Sequence, residues 1–153
     1  MTRTFYISGP MTGYPQFNFP LFDRAAEYFR KSGVSIISPA ELDPPDVRAY
    51  CLGSPDGDSS KLPAGLSYGG ALGRDIQVIM DQVTDGLIFL PSWWGSKGAR
   101  LEAYAALLKG LPNYFLFQHA GSYCIAIDGV LKSDVVTALT PDNVRATLTR
   151  FMP

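Results

Sequence analysis

The chain has 153 residues, with 13 Lys and Arg against 14 Asp and Glu, so its formal charge of −1 argues against a basic nucleic-acid-binding surface. Apolar residues make up 46% and charged residues only 18%, which argues against a disordered chain and for one compact domain over residues 1–153. Its 15 glycines and 12 prolines point to irregular segments, and its two cysteines, Cys51 and Cys124, are too few and too far apart for a disulfide framework or a zinc site.

The first ten residues lack the apolar core of a signal peptide, and no apolar stretch approaches the ~18 residues of a membrane span. The expectation is a cytoplasmic protein with no membrane partner. Residues 4 to 8 form a β-prone run stopped by Gly9-Pro10. Leu21, Phe22, Ala25, Ala26 and Phe29 then recur at helical spacing, with Pro20 suited to the first turn and Gly33 to the end. Val34 to Ser38 reads as a second strand. From Asp43 to Arg74 no period is visible among many Gly and Pro, so a lid-like irregular insertion is expected at about 43–74. Leu72, Ile76, Ile79, Met80 and Val83 mark an amphipathic helix, and Gly86 to Leu90 a central parallel strand. Gly98 to Leu108 reads as a largely buried helix and Tyr114 to Gln118 as a fourth strand. Tyr123 to Asp128, with Gly129 to Leu131, reads as a hairpin or fifth strand, and Thr140-Pro141-Asp142 as the start of a last helix through Arg150. The alternation predicts an open, mostly parallel α/β sheet of four to five strands with helices on both faces, its ligand beyond the carboxyl ends of the strands.

Three places near strand ends carry unusual residues. In Tyr6-Ile7-Ser8-Gly9-Pro10-Met11-Thr12-Gly13, glycine permits close approach of backbone to a ligand and amides suit an anion; the alternative is an ordinary tight turn. Asp75 and Asp85 flank apolar surface and need partners or a chemical role; the alternative is that Asp75 pairs with Arg74 or Arg100 and Asp85 caps a turn. In the stretch Pro91 to Glu102, a Gly- and Ser-containing loop runs into a helix that carries one glutamate among Ala, Leu and Tyr. A helix N-terminus would favour the Glu102 carboxylate, while burial would oppose it; the alternative is a buried ion pair with Arg100 or Lys97. Trp93 and Trp94 suit either base stacking or packing, and His119, the only histidine, has no nucleophile elbow nearby.

Taken together, Tyr6 to Gly13, Arg74-Asp75, Thr84-Asp85 and Ser96 to Glu102 resemble the nucleoside 2-deoxyribosyltransferase superfamily. That superfamily includes N-glycosidases of deoxynucleoside 5′-monophosphates and an uncharacterised branch frequent in phages and bacteria. The Gly-Pro-Met-Thr-Gly start with Asn18 and Phe22 is most similar to the last branch. The resemblance covers about residues 4 to 118, leaving 43–74 and the tail unmatched. It implies a Rossmann-like or flavodoxin-like fold, with Glu102 attacking the anomeric carbon and Asp75 or Asp85 assisting departure of the base. It also implies Tyr6 beside the nucleophile, Ser96 on a phosphate, and Ser8, Gly9, Met11, Thr12, Gly13, Asn18, Trp93 and Gly98 around the substrate. Where the hydrolases carry Ser and Arg in the first loop, this chain has Pro10 and Thr12, so phosphate contacts there would come from backbone amides or Thr12. Transferases often carry Asp where Ser96 stands, which favours hydrolysis of a monophosphate.

The resulting expectation is an N-glycosidase acting on a (deoxy)nucleoside 5′-monophosphate. Base exchange between deoxynucleosides and a catalytically silent nucleotide-binding module are the alternatives. No cofactor and no metal is called for. The expected partners are a small nucleotide and a second copy of the chain, joined near Trp93-Trp94 or through the Ala-rich helix.

Overall fold

The computed structural model describes residues 3–83, 85–119, 122–127 and 137–138. Strands β1 (Thr4–Ser8), β2 (Ser35–Ile37), β3 (Gly86–Phe89), β4 (Asn113–His119), β5 (Ser122–Ile127) and β6 (Thr137–Ala138) form one sheet in the order β2-β1-β3-β4-β5-β6. The first four run parallel; β5 returns antiparallel to β4, and β6 antiparallel to β5. Order 2-1-3-4-5 is the flavodoxin-like doubly wound arrangement, with an antiparallel β5. Its winding reverses at β1/β3, where a crevice opens beyond the strand ends. The open α/β sheet expected from the alternation is thus observed, with six strands rather than four to five; the segment from Tyr123 forms the fifth strand, and residues 128–131 of the expected hairpin lie outside the described residues. The helix expected over 140–150 lies outside the described residues.

Alternation along the strands divides the core. Phe5, Ile7, Ile36, Ile88 and Leu90 face one side, against Phe22, Ala26 and Phe29 of α1 (Phe19–Lys31). Tyr6, Leu87 and Phe89 face the other, against Ile79 and Val83, at the end of α3 (Tyr68–Gln82), and Ala105 and Ala106 of α4 (Lys97–Lys109). The period-2 pattern therefore also sets which strand side chains can meet α4: Tyr6 and Ser8, two residues apart.

The 43–74 segment is more regular than expected. It holds α2 (Pro45–Gly53), and α3 begins at Tyr68 rather than near Leu72. Helix α2 buries only Val47 and Cys51, too few positions to show a period. It is anchored by Arg48, which reaches Asp23 of α1 at 2.5 Å and the Ala40 carbonyl at 2.7 Å. The first turn of α3 carries Gly69 and Gly70, poor helix formers, and its start is fixed by Ser67, whose hydroxyl accepts from the Gly70 N–H at 3.0 Å. Among the described residues no helix is long and apolar enough to cross a membrane.

Candidate active site at the β1/β3 switch point

Glu102 lies in the second turn of α4 and is 6% exposed. Its carboxyl group meets two hydroxyls from β1: Tyr6 Oη donates to Oε1 at 3.0 Å, and Ser8 Oγ donates to Oε2. Both oxygens thus accept, from neutral donors. Neither Lys97 nor Arg100 pairs with Glu102, so the ion-pair alternative is not what the fold builds. Burial pushes the Glu102 pKa up to about 8; the Asp75 charge adds to the rise, while the Ser8 and Tyr6 hydrogen bonds oppose it. The expected help from the helix N-terminus is weak, because dipole effects fade beyond the first turn and Glu102 stands past it. Burial and the Glu102 charge likewise raise the Tyr6 pKa well above its ordinary value, so Tyr6 stays a donor.

Asp75, on α3, is 7% exposed. Arg74 donates to its Oδ1 from Nε at 3.0 Å and Nη2 at 2.9 Å, and from Nη1 to Asp43 at 2.6 Å. One guanidinium thus ties the segment before α2 to the carboxyl cluster. Burial raises the Asp75 pKa and Arg74 holds it back.

Asp43, Arg74, Asp75 and Glu102 line a cavity of about 690 Å³, within the range that small-molecule sites occupy, whereas Tyr6 and Ser8 are fully buried behind Glu102 and do not reach its wall. Its wall includes Gly9, Met11 and Thr12 after β1, Arg74 and Asp75 of α3, and Ser96, Lys97, Gly98 and Glu102 at the start of α4. Two helix N-termini converge on it. Ser67 caps α3, and Ser96 caps α4 by accepting from the Ala99 N–H at 3.2 Å, which leaves the Ser96 O–H free to donate. A Cβ on Gly98 would stand 2.9 Å from Oη of the exposed Tyr68, whose side chain would have to shift to admit it.

Other predicted residues fall elsewhere. Asp85 is not brought to the site. Its Oδ2 accepts from the Thr4 N–H at 2.7 Å and its own N–H donates to the Thr4 carbonyl at 3.1 Å. It therefore ties the amino ends of β1 and β3, while Ser8 and Glu102 stand at the carboxyl end. Trp93 packs on Phe89 and Phe115, with centroids at 4.7 and 5.2 Å, and does not face the cavity. Asn18 donates to the Pro10 carbonyl at 2.8 Å, fastening the loop rather than lining the cavity. Gly13 is outside the wall as well; its φ of +82° turns the loop, and its N–H donates to the Gly57 carbonyl at 2.9 Å. Gly9 makes room for Leu90, whose Cβ would lie 2.9 Å from an added methyl group.

Residues that sequence reasoning missed include Asp43, Tyr68 and the apolar wall supplied by α2. The one signal that could have placed the start of α3 at the cavity is Ser67, a capping residue type ahead of the helix. Among the described residues, no group of three or more His, Cys, Asp or Glu is arranged to hold a metal ion.

Comparison with curated proteins and with solved structures finds no match. A family match does cover residues 3–114, from the start of β1 into β4, and so includes Tyr6, Ser8, Asp75 and Glu102. The chain belongs to the family described as "Domain of unknown function (DUF4406)".

Proposed function

We propose that this chain hydrolyses the N-glycosidic bond of a (deoxy)nucleoside 5′-monophosphate, as its resemblance to nucleoside 2-deoxyribosyltransferase-like enzymes implies. The observation that carries the reading is Glu102, a buried carboxyl group with one hydroxyl on each oxygen, facing a nucleotide-sized cavity at the switch point. The carboxylate attacks the anomeric carbon as the carbon–nitrogen bond breaks, and the bond's electron pair leaves with the base. Asp75 orients the base and relays the proton that it takes up. Water then attacks the anomeric carbon, loses a proton and frees Glu102, giving free base and sugar 5-phosphate. Positive charge developing on the sugar favours the ionised form of Glu102 at the moment of attack. Ser96, Lys97, Gly98 and the loop amides around Gly9 and Thr12 hold the phosphate at the helix N-terminus.

We also propose that the chain self-associates through the outer face of α4. That face exposes Leu101, Tyr104, Leu107 and Leu108, with Trp94 just before the helix. Solvent-facing apolar side chains grouped on one helix suit a self-complementary contact.

The test is a panel of ribo- and deoxyribonucleoside monophosphates assayed for free base. Release by the wild-type chain that falls at least 10³-fold in Glu102→Gln is expected; no release, or release unchanged in the variant, overturns the reading. A new nucleoside formed when a second free base is added would reassign the reaction to base exchange.

A further inference from the structure

The cavity is longer than the carboxyl cluster and changes character along its length. Glu102, Tyr6 and Ser8 belong to the side of the sheet covered by α3 and α4. The wall also includes Phe17, Phe19, Val47 and Cys51, nearly buried members of the core on the α1 side, and the half-buried Leu62 and Leu66 packed against that core. The cavity thus passes over the carboxyl edge of the sheet, from the nucleophile on the β3 side to an apolar recess beside β2. The same wall carries Arg74, Asp75 and Asp43, joined by hydrogen bonds and able to meet the polar edge of a base.

An unmodified base suits the polar part of this wall but not the apolar part. Every natural base has polar edges, and burying them against Phe17, Val47, Cys51, Leu62 and Leu66 would remove water without supplying partners. The recess is also built at some cost: Phe17 is buried at a φ of +50°, between Gln16 and Asn18, which are left-handed as well. A bulky residue holds that conformation only where its surroundings fix it, and here its ring forms part of the recess wall.

We propose that the substrate base carries an apolar exocyclic substituent, alkyl or aryl, which fills the recess formed by Phe17, Phe19, Val47, Cys51, Leu62 and Leu66. The proposal rests on the glycosidase reading for its orientation, since the base must point away from Glu102 and the phosphate toward α4.

The experiment pairs two substituted nucleotides with their parents: N6-benzyl-2′-deoxyadenosine and 5-hexyl-2′-deoxyuridine 5′-monophosphates against the unsubstituted forms. Base release and binding by calorimetry are measured on the same samples. Burying several methylene equivalents is expected to raise kcat/KM at least about tenfold for a substituted base over its parent. Val47→Trp, which fills the recess, is expected to bring that ratio close to one, with a melting temperature showing that it is folded. Release from the parents as fast as from the substituted forms overturns the proposal and leaves the glycosidase reading standing. If no nucleotide is cleaved, the glycosidase reading fails, and binding decides the recess: tenfold tighter binding of a substituted form supports it, and equal or absent binding overturns it.

Discussion

On the proposed reading, Glu102 couples the reaction to the stability of the fold. Its pKa is about 8 in the folded chain, well above that of an exposed glutamate, so between those values the folded state holds a proton that the unfolded state has lost. Stability contributed relative to the unfolded chain is therefore present at pH 5 and falls as pH rises through 8. Glu102→Gln removes this dependence. It is expected to melt about 5–10 °C above the wild type at pH 9, with little difference at pH 5, as calorimetry at the two pH values would show. On the proposed mechanism the same proton also shapes the reaction. Base release is expected to rise with pH through about 8, as Glu102 ionises. Tyr6→Phe and Ser8→Ala each remove a hydrogen bond to the carboxylate and are expected to shift that rise to higher pH and lower the rate at pH 7 by about 10–100-fold. Asp75→Asn removes a neighbouring negative charge and is expected to shift the rise to lower pH while slowing the reaction. Asp75 and Glu102 were legible in the sequence as carboxylates beside or within an apolar helix, whereas Tyr6, inside β1, and Ser8 entered through the family resemblance. Asp85 shared that signal without sharing the place: its position before β3 put it at the amino end, and residue type next to a strand does not tell which end of the sheet it occupies.

At the scale of elements, hydrophobic period located most of the helices and strands, and failed where packing rests on few residues. The anchors of α2 are the Arg48 bonds to Asp23 and to the Ala40 carbonyl, which no periodicity displays. The loop after β1 depends on a contact equally hidden in the sequence. Gly57, at φ +63°, receives the Gly13 N–H on its carbonyl, and a Cβ on it would stand 2.2 Å from the Tyr14 carbonyl oxygen. Gly57→Ala is expected to cost about 2–4 kcal/mol, from both the clash and the left-handed backbone. A fall of several degrees in Tm, together with weaker nucleotide binding as Met11 and Thr12 shift, would show it. A variant as stable as the wild type would contradict this picture of the loop.

Across the whole molecule, strand order explains why residues nearly one hundred positions apart share a site. Tyr6 and Ser8 end β1, Glu102 follows β3, and these neighbouring parallel strands are wound in opposite directions. Alternation of strands and helices foretold the sheet but not which strand neighbours which, so the switch point emerges only from the order β2-β1-β3-β4. The near-neutral charge agrees with a small ligand bound by helix ends and a few side chains rather than with a polymer. The apolar outer face of α4 leads to a second expectation at this scale. Light scattering should find a dimer or higher oligomer, and Leu107→Asp combined with Leu108→Asp should yield a folded monomer; a monomeric wild type would contradict it. Whether Glu102 is the nucleophile can be read from intact-mass and peptide mass spectrometry after acid quenching during turnover of a nucleoside monophosphate. A sugar phosphate added to the peptide that carries Glu102, and absent from Glu102→Gln, is expected; base release with the sugar found on another residue, or in the variant as readily as in the wild type, would overturn that role.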